Sequence, residues 1–212
     1  MPEEDTIAAI STPAGEGGIG IVRVSGTKAF DLVDQIFIPH RGKKKEYPLS
    51  HHLYHGHIVN EKGEVIDEVL VSFMRSPHTY TCEDTVEVNC HSGIVTLRLI
   101  LRLILKKGAR LAEPGEFTRR AFLNGRIDLS QAESVLRLIQ ARSEEGVKLA
   151  ALNVKGYLAN EIVSLRNSIM DNLAQVETSL DFPEDLEDDS IMEAQLKSNL
   201  EKIINQLKDL LE

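Results

Sequence analysis

Gly15, Gly17 and Gly20, in the stretch AGEGGIGIVRVSG, stand in the spacing G-x-G-x-x-G. In a dinucleotide-binding unit those glycines lead from a strand into a helix whose N-terminal amides hold a pyrophosphate. Here they lead into IGIVRVSG, which alternates and is rich in β-branched residues, so a strand follows and the loop joins two strands. No G-x-x-x-x-G-K-[ST] occurs in the chain, so no recognisable phosphate cradle is present. The glycines read as a structural turn, or as a loop that closes over some other ligand. Within the strand, Ile19, Ile21, Arg23 and Ser25 share one face. Two readings of Arg23 stand: an edge-strand charge in water, the commoner case, or an anchor for an anion or carbonyl. Glu87 offers a similar choice in DTVEVNC, where Thr85, Glu87 and Asn89 alternate with Val86 and Val88. It is either on the solvent face of a strand, or a carboxylate that accepts hydrogen bonds from a ring with adjacent N–H donors.

The other chemistry-bearing residues say less. His51, His52, His55 and His57 suggest a metal at first sight. Without cysteines or carboxylates in a recognised spacing they read as a solvated strand face, and no metal site is expected. Cys82, Cys90 and His91 are weak grounds for nucleophilic catalysis, and no Ser-His-Asp arrangement can be defended. RGKKKEYP reads as a solvated loop.

These residues need elements to hold them. TIAAIS, IGIVRVSG, HHLYHGHIVN, VIDEVLVSFMR and DTVEVNC predict strands, with NEKGE as a hairpin turn. KAFDLVDQIF predicts a helix, and so does GIVTLRLILRLILKKG, which looks nearly all buried behind a stripe of Arg98, Arg102 and Lys106 and is capped at Gly108. After Pro114-Gly115 the strand signals stop. EFTRRAFLN predicts a short helix closed by Gly125, and Ser130 with Glu133 predicts a capping box opening the next. One long helix is expected through Val147, Ala151, Val154, Leu158, Ile162, Leu165, Ile169, Leu173, Val176 and Leu180, whose mean step of about 3.67 residues is that of a nearly straight stripe. Pro183 should end it. A last amphipathic helix, with a second box at Ser190 and Glu193, has no closing signal, as if the fold continued past this sequence.

Composition narrows the classes. The 212 residues are 42% hydrophobic and carry a net charge of -9, with seven acids and no base in DFPEDLEDDSIME. That argues against a nucleic-acid footprint spread over this chain. No stretch is apolar for long enough to span a membrane, and the acidic N-terminus lacks a secretory pattern. Two cysteines without C-x-x-C indicate neither a disulfide framework nor a zinc site, and a cytoplasmic location is expected.

AEPGEFTRRAFLNGRIDLSQAESV, together with DTIAAISTPAGEGGIGIVRVSG, YTCEDTVEVNCHSG and DFPED, resembles the N-terminal part of the MnmE (TrmE) family of tRNA modification GTPases. The motifs run along the chain in order. The resemblance implies an α+β fold. Residues 1–117 would be a folate-binding and dimerisation domain similar to aminomethyltransferase domains such as the glycine-cleavage T protein, and 118–212 the first part of a helical domain. It implies a homodimer, a 5-formyl-tetrahydrofolate or related carrier, and partnership with the FAD protein MnmG in a heterotetramer or larger complex. With tRNA reached through that complex, the whole would add an aminomethyl-type group at uridine C5. GTP, magnesium and potassium would belong to a GTPase domain outside this sequence, leaving no catalytic residue within it. The folate-binding positions carried over are Arg23, Glu87 and Arg126; the last is lysine in some relatives, pointing to charge rather than bidentate geometry. Cys82 and Ser92 stand where relatives often have glycine. Two other readings remain: a free-standing folate-dependent one-carbon transferase, and a dimerisation module without ligand.

Overall fold

The computed structural model describes residues 5–211 apart from 14, 16, 41–48 and 182–188, with the side chains of 189–192 also left aside. The RGKKKEYP loop, Pro183 and the Ser190 box fall outside what is described. Two compact units result, Met1–Ile127 and Asp128–Glu212.

The first unit runs β1 (Ile7–Ile10), β2 (Gly20–Ser25), α1 (Ala29–Asp34), β3 (Phe37–Pro39), β4 (His52–Val59), β5 (Val65–Met74), β6 (Thr85–Cys90), α2 (Ile94–Lys106), β7 (Arg110–Leu111) and α3 (Glu116–Leu123). Its seven strands form one sheet in the order β3-β4-β5-β6-β2-β1-β7. Every pairing is antiparallel except β1 with β7, which is parallel. Alternation sorts the side chains. Val22 and Val24, Val69, Val71 and Phe73, and Val86 and Val88 point to one face and are buried there with Ala29, Leu32 and Val33 of α1 and Leu97, Ile100, Leu103 and Ile104 of α2. Fully burying one such side chain contributes about 1.5–3 kcal/mol, so this layer holds the unit together. The opposite face, with Ile21, Arg23, Ser25, Glu87 and Asn89, is only partly covered, and it is the face that matters for chemistry.

The structure departs from expectation twice in this unit. α2 is not nearly all buried: Val95 is 66% exposed and Ile94 and Leu99 are exposed too, because a sheet covers only one side of a helix. β3 and β7 were not expected, being three and two residues long and carrying no alternation to read. The compact unit includes α3, which is held to the sheet side by the buried Glu116 and Arg120.

The second unit is helical: α4 (Leu129–Gln140), α5 (Glu144–Val154), α6 (Tyr157–Asp181) and α7 (Asp189–Asp209). Asp128, not Ser130, caps α4. Its carboxylate accepts from Gln131 N at 2.9 Å while Gln131 Oε1 accepts from Asp128 N at 2.9 Å, and Ser130 donates to the same carboxylate. The expected single long helix is two, broken after Val154 where Gly156 takes φ +87. Gln131 Nε2 donates to Val154 O at 2.9 Å and so satisfies a carbonyl at the end of α5. Among the described residues no helix is long and apolar enough to cross a membrane.

Candidate functional site

Arg23 does not sit on an edge strand. β2 lies between β6 and β1, and Arg23 is registered directly opposite Glu87. Arg23 Nε donates to Glu87 Oε1 at 2.8 Å and its Nη2 lies 2.7 Å from the same oxygen, with the two side chains 26% and 23% exposed. A half-buried pair on the open face of a central strand is shielded from water yet reachable by a ligand. The Arg23 guanidinium also lies 5.5 Å from the ring centroids of both Tyr80 and Phe117. Arg126 stacks over Tyr80 at 4.5 Å. Arg23 and Arg126 thus both lie against the Tyr80 ring, and Glu87 joins them through its contact with Arg23.

The surrounding elements explain why Tyr80 is held there. Residues 75–84, which join β5 to β6, bond to themselves: Asp84 Oδ1 accepts from Ser76 N at 2.9 Å, Ser76 Oγ donates to Cys82 O at 2.8 Å, and Thr79 Oγ1 donates to Glu83 O at 2.7 Å. Cys82 takes φ +59, the left-handed conformation that favours glycine. Tyr80 Oη is 2.9 Å from Thr118 Oγ1 on α3, and Asn124 Nδ2 donates to Thr81 O at 2.7 Å. Gly125, at φ +73, turns the chain after α3 and delivers Arg126.

Beneath the site lies a buried ionic cluster. Arg120, 2% exposed, donates from Nη2 to Asp5 Oδ1 at 2.6 Å and to Glu116 Oε1 at 3.1 Å, and from Nη1 to Glu83 Oε1 at 3.2 Å. Ser25 Oγ donates to Glu83 Oε2 at 2.8 Å, linking β2 to the loop that carries Tyr80. The Arg110 guanidinium, bonded to both oxygens of Glu116, holds that carboxyl down at about 2, helped by Glu113 N and Arg120 against the opposing pull of burial. These charges are spent on each other, so the cluster positions α3 and does no chemistry itself.

The glycine loop is clasped from the far end of β6. Ser92, 6% exposed, accepts from Gly17 N at 2.7 Å and donates to Gly17 O. Gly20 is required by packing, since a methyl there would lie 2.9 Å from Leu97 and 3.0 Å from the Ser92 backbone. Gly18 faces open space, with nothing within 4 Å of an added methyl. The thiol-histidine grouping does not form: Cys90 is 4% exposed, and burial followed by the charge of Asp67 pushes its thiol up to about 11. His91 instead bonds Asp67, its Nδ1 lying 2.7 Å from Oδ1.

Tyr80, Phe117 and Thr118 were missed by the sequence reading. A signal was there: aromatic residues make up 5% of the chain, and four of them fall inside the motifs that carry the resemblance.

Comparison with known proteins adds the following. Residues 6–126 match a family model described as GTP-binding protein TrmE N-terminus, and residues 129–212 match one described as MnmE helical domain. A tRNA modification GTPase MnmE of Carboxydothermus hydrogenoformans is 54% identical over 209 residues, 98% of this chain and 45% of that protein. Proteins of the same name from Geobacillus thermodenitrificans and Alkaliphilus metalliredigens are 49% and 48% identical, covering 100% and 99% of this chain and 46% and 45% of their own lengths. The chain thus spans about half the length of the curated relatives it matches.

Proposed function

The chain belongs to the MnmE (TrmE) family, and on that premise we propose that it is the folate-binding and helical part of a tRNA modification GTPase. In this reading the first unit binds a 5-formyl-tetrahydrofolate-like one-carbon carrier and forms a homodimer. The whole protein hydrolyses GTP with magnesium and potassium in the region this chain does not span. Working with the FAD protein MnmG in the cytoplasm, it adds an aminomethyl-type group at C5 of a tRNA wobble uridine.

The observation that carries the folate reading is the convergence of Glu87, Arg23, Tyr80 and Arg126 on one open face. A carboxylate accepts paired hydrogen bonds from a pterin amino group and ring N–H, guanidinium groups meet a formyl oxygen or the glutamate tail, and an aromatic ring offers a flat contact. The bare Gly18 leaves room for a planar ring to approach the loop backbone. Glu87 and Arg23 supply binding and orientation, while the one-carbon unit comes with the carrier.

Calorimetric titration with 5-formyl-tetrahydrofolate tests this. Saturable binding to the chain, lost in Glu87→Ala, is expected; heat absent from both would overturn the folate reading for this chain. A second reading draws on the Arg23–Glu87 contact at 2.7 Å. Two charges that satisfy each other suit a dimerisation module without ligand, and that module predicts self-association with no folate heat.

A further inference from the structure

The sequence places His55 and His57 on a strand face and stops there. The fold brings donors to them from both neighbouring strands. Gly56 and Ile58 are buried, so His55 and His57 leave β4 on the face away from the core. On one side His40, just past β3, donates its N–H to His55 O at 2.8 Å. Its ring centroid lies 5.3 Å from that of His55 and 6.1 Å from that of His57. On the other side Glu68 is registered opposite His57, and its Oε1 is 2.6 Å from His55 Nε2. Gly56 makes the approach of β3 feasible, because a methyl there would collide with Ile38 O and lie 2.6 Å from the Phe37 ring.

We propose that His40, His55, His57 and Glu68 form a binding site for a divalent transition-metal ion of the zinc class. Three imidazoles and a carboxylate are the borderline nitrogen and oxygen donors such ions take. Two imidazoles on one tetrahedral ion, each bonded at about 2.0 Å, have ring centroids about 5 Å apart. The His40 spacings of 5.3 and 6.1 Å are close to that. Among the described residues no such group already stands in ligating geometry. The site closes by side-chain rotation at His40 and His55, both exposed, with the ion taking the place of the proton shared by His55 and Glu68. The bound ion fastens the three-residue edge strand to β4 and β5 and stabilises the folded chain by mass action.

The test uses zinc alone, in a chelator-competition titration of the whole chain, with melting followed in parallel. Uptake of one equivalent and a rise in melting temperature are expected. His55→Ala and Glu68→Gln should each weaken binding at least about tenfold, while His52→Ala, His91→Ala and Cys82→Ser leave it unchanged. Metal-free melting of the two site variants separates lost ligands from lost fold. Uptake that survives both site variants, or that disappears with Cys82→Ser or His91→Ala, would overturn the proposal, as would no saturable uptake.

Discussion

At the scale of the residue, identity was easier to read than partnership. Arg23 and Glu87 stood out in the sequence, yet both a solvated and a ligand-binding reading stood for each, with the solvated one the commoner for Arg23. Only the β2–β6 register puts them opposite one another, and register is a long-range property, the partners lying 64 positions apart in sequence. Tyr80 went unread because no periodicity governs a loop. On the folate reading, Tyr80→Ala should weaken 5-formyl-tetrahydrofolate binding by about tenfold, or about 1.4 kcal/mol. Tyr80→Phe, which keeps the ring and loses only the contact with Thr118, should bind nearly as well. Equal losses would mean that the hydroxyl and not the ring matters. Gly18→Val should fold normally, since nothing lies within 4 Å of the new methyl, and should still lose folate affinity. Retained affinity would remove the loop from the site. Cys82 carries a backbone cost that glycine would not, of about 1–2 kcal/mol before the entropy of the unfolded glycine is subtracted. Cys82→Gly should therefore raise the melting temperature by a few degrees in a calorimetric scan, and a drop would show that the left-handed conformation costs nothing here.

At the scale of the element, α3 is held by charge more than by apolar packing. Its buried residues are Glu116, Arg120 and Ala121. Replacing Arg120 with Met takes the arginine from Glu83 and leaves Glu116 and Asp5 with Arg110, and should cost about 3–5 kcal/mol in urea unfolding. Because Tyr80 leans on Thr118, the same variant should also weaken folate binding. The acid limb follows from Glu116. Its carboxyl is lowered from 4.5 to about 2 in the fold, so its contribution is fully present above pH 4.5 and is lost as pH falls towards 2. Urea midpoints measured down this range should fall, and less steeply in Glu116→Gln, which starts from a lower stability at neutral pH. Identical slopes in the two proteins would assign the acid loss to other carboxylates. Sequence periodicity named most helices here but misplaced their ends. The apolar stripe from Val147 to Leu180 runs on in phase through Gly156, and one left-handed residue is enough to end a helix without disturbing the spacing of its neighbours.

For the molecule as a whole, the five longer strands and the helical second half were legible, because each rests on alternation or helical spacing summed over many residues. The edges of the sheet were not, since strands of two and three residues carry no pattern. The second unit leaves large apolar side chains in water, among them Ile139 at 77%, Leu180 at 75% and Leu149 at 63% exposed. Exposed apolar surface on this scale attracts partners. A polarity-sensitive dye should bind this chain with strong fluorescence enhancement, and Ile139→Glu with Leu149→Glu should reduce it. Dye binding that the pair leaves unchanged would move the apolar surface to the sheet.

The parallel pairing of β1 with β7 also sets a timetable for synthesis. β1 leaves the ribosome before the rest of the sheet, and it is flanked in the finished sheet by β2 on one side and by residues 110 and 111 on the other. Asp5 then waits for Arg120, which follows it by 115 residues. Until then the nascent chain holds β1 as an open edge with unpaired backbone groups, available to any other strand that passes. The first unit is thus completed only once α3 has emerged, and the residues that close it are the same ones that seat α3 beside Tyr80.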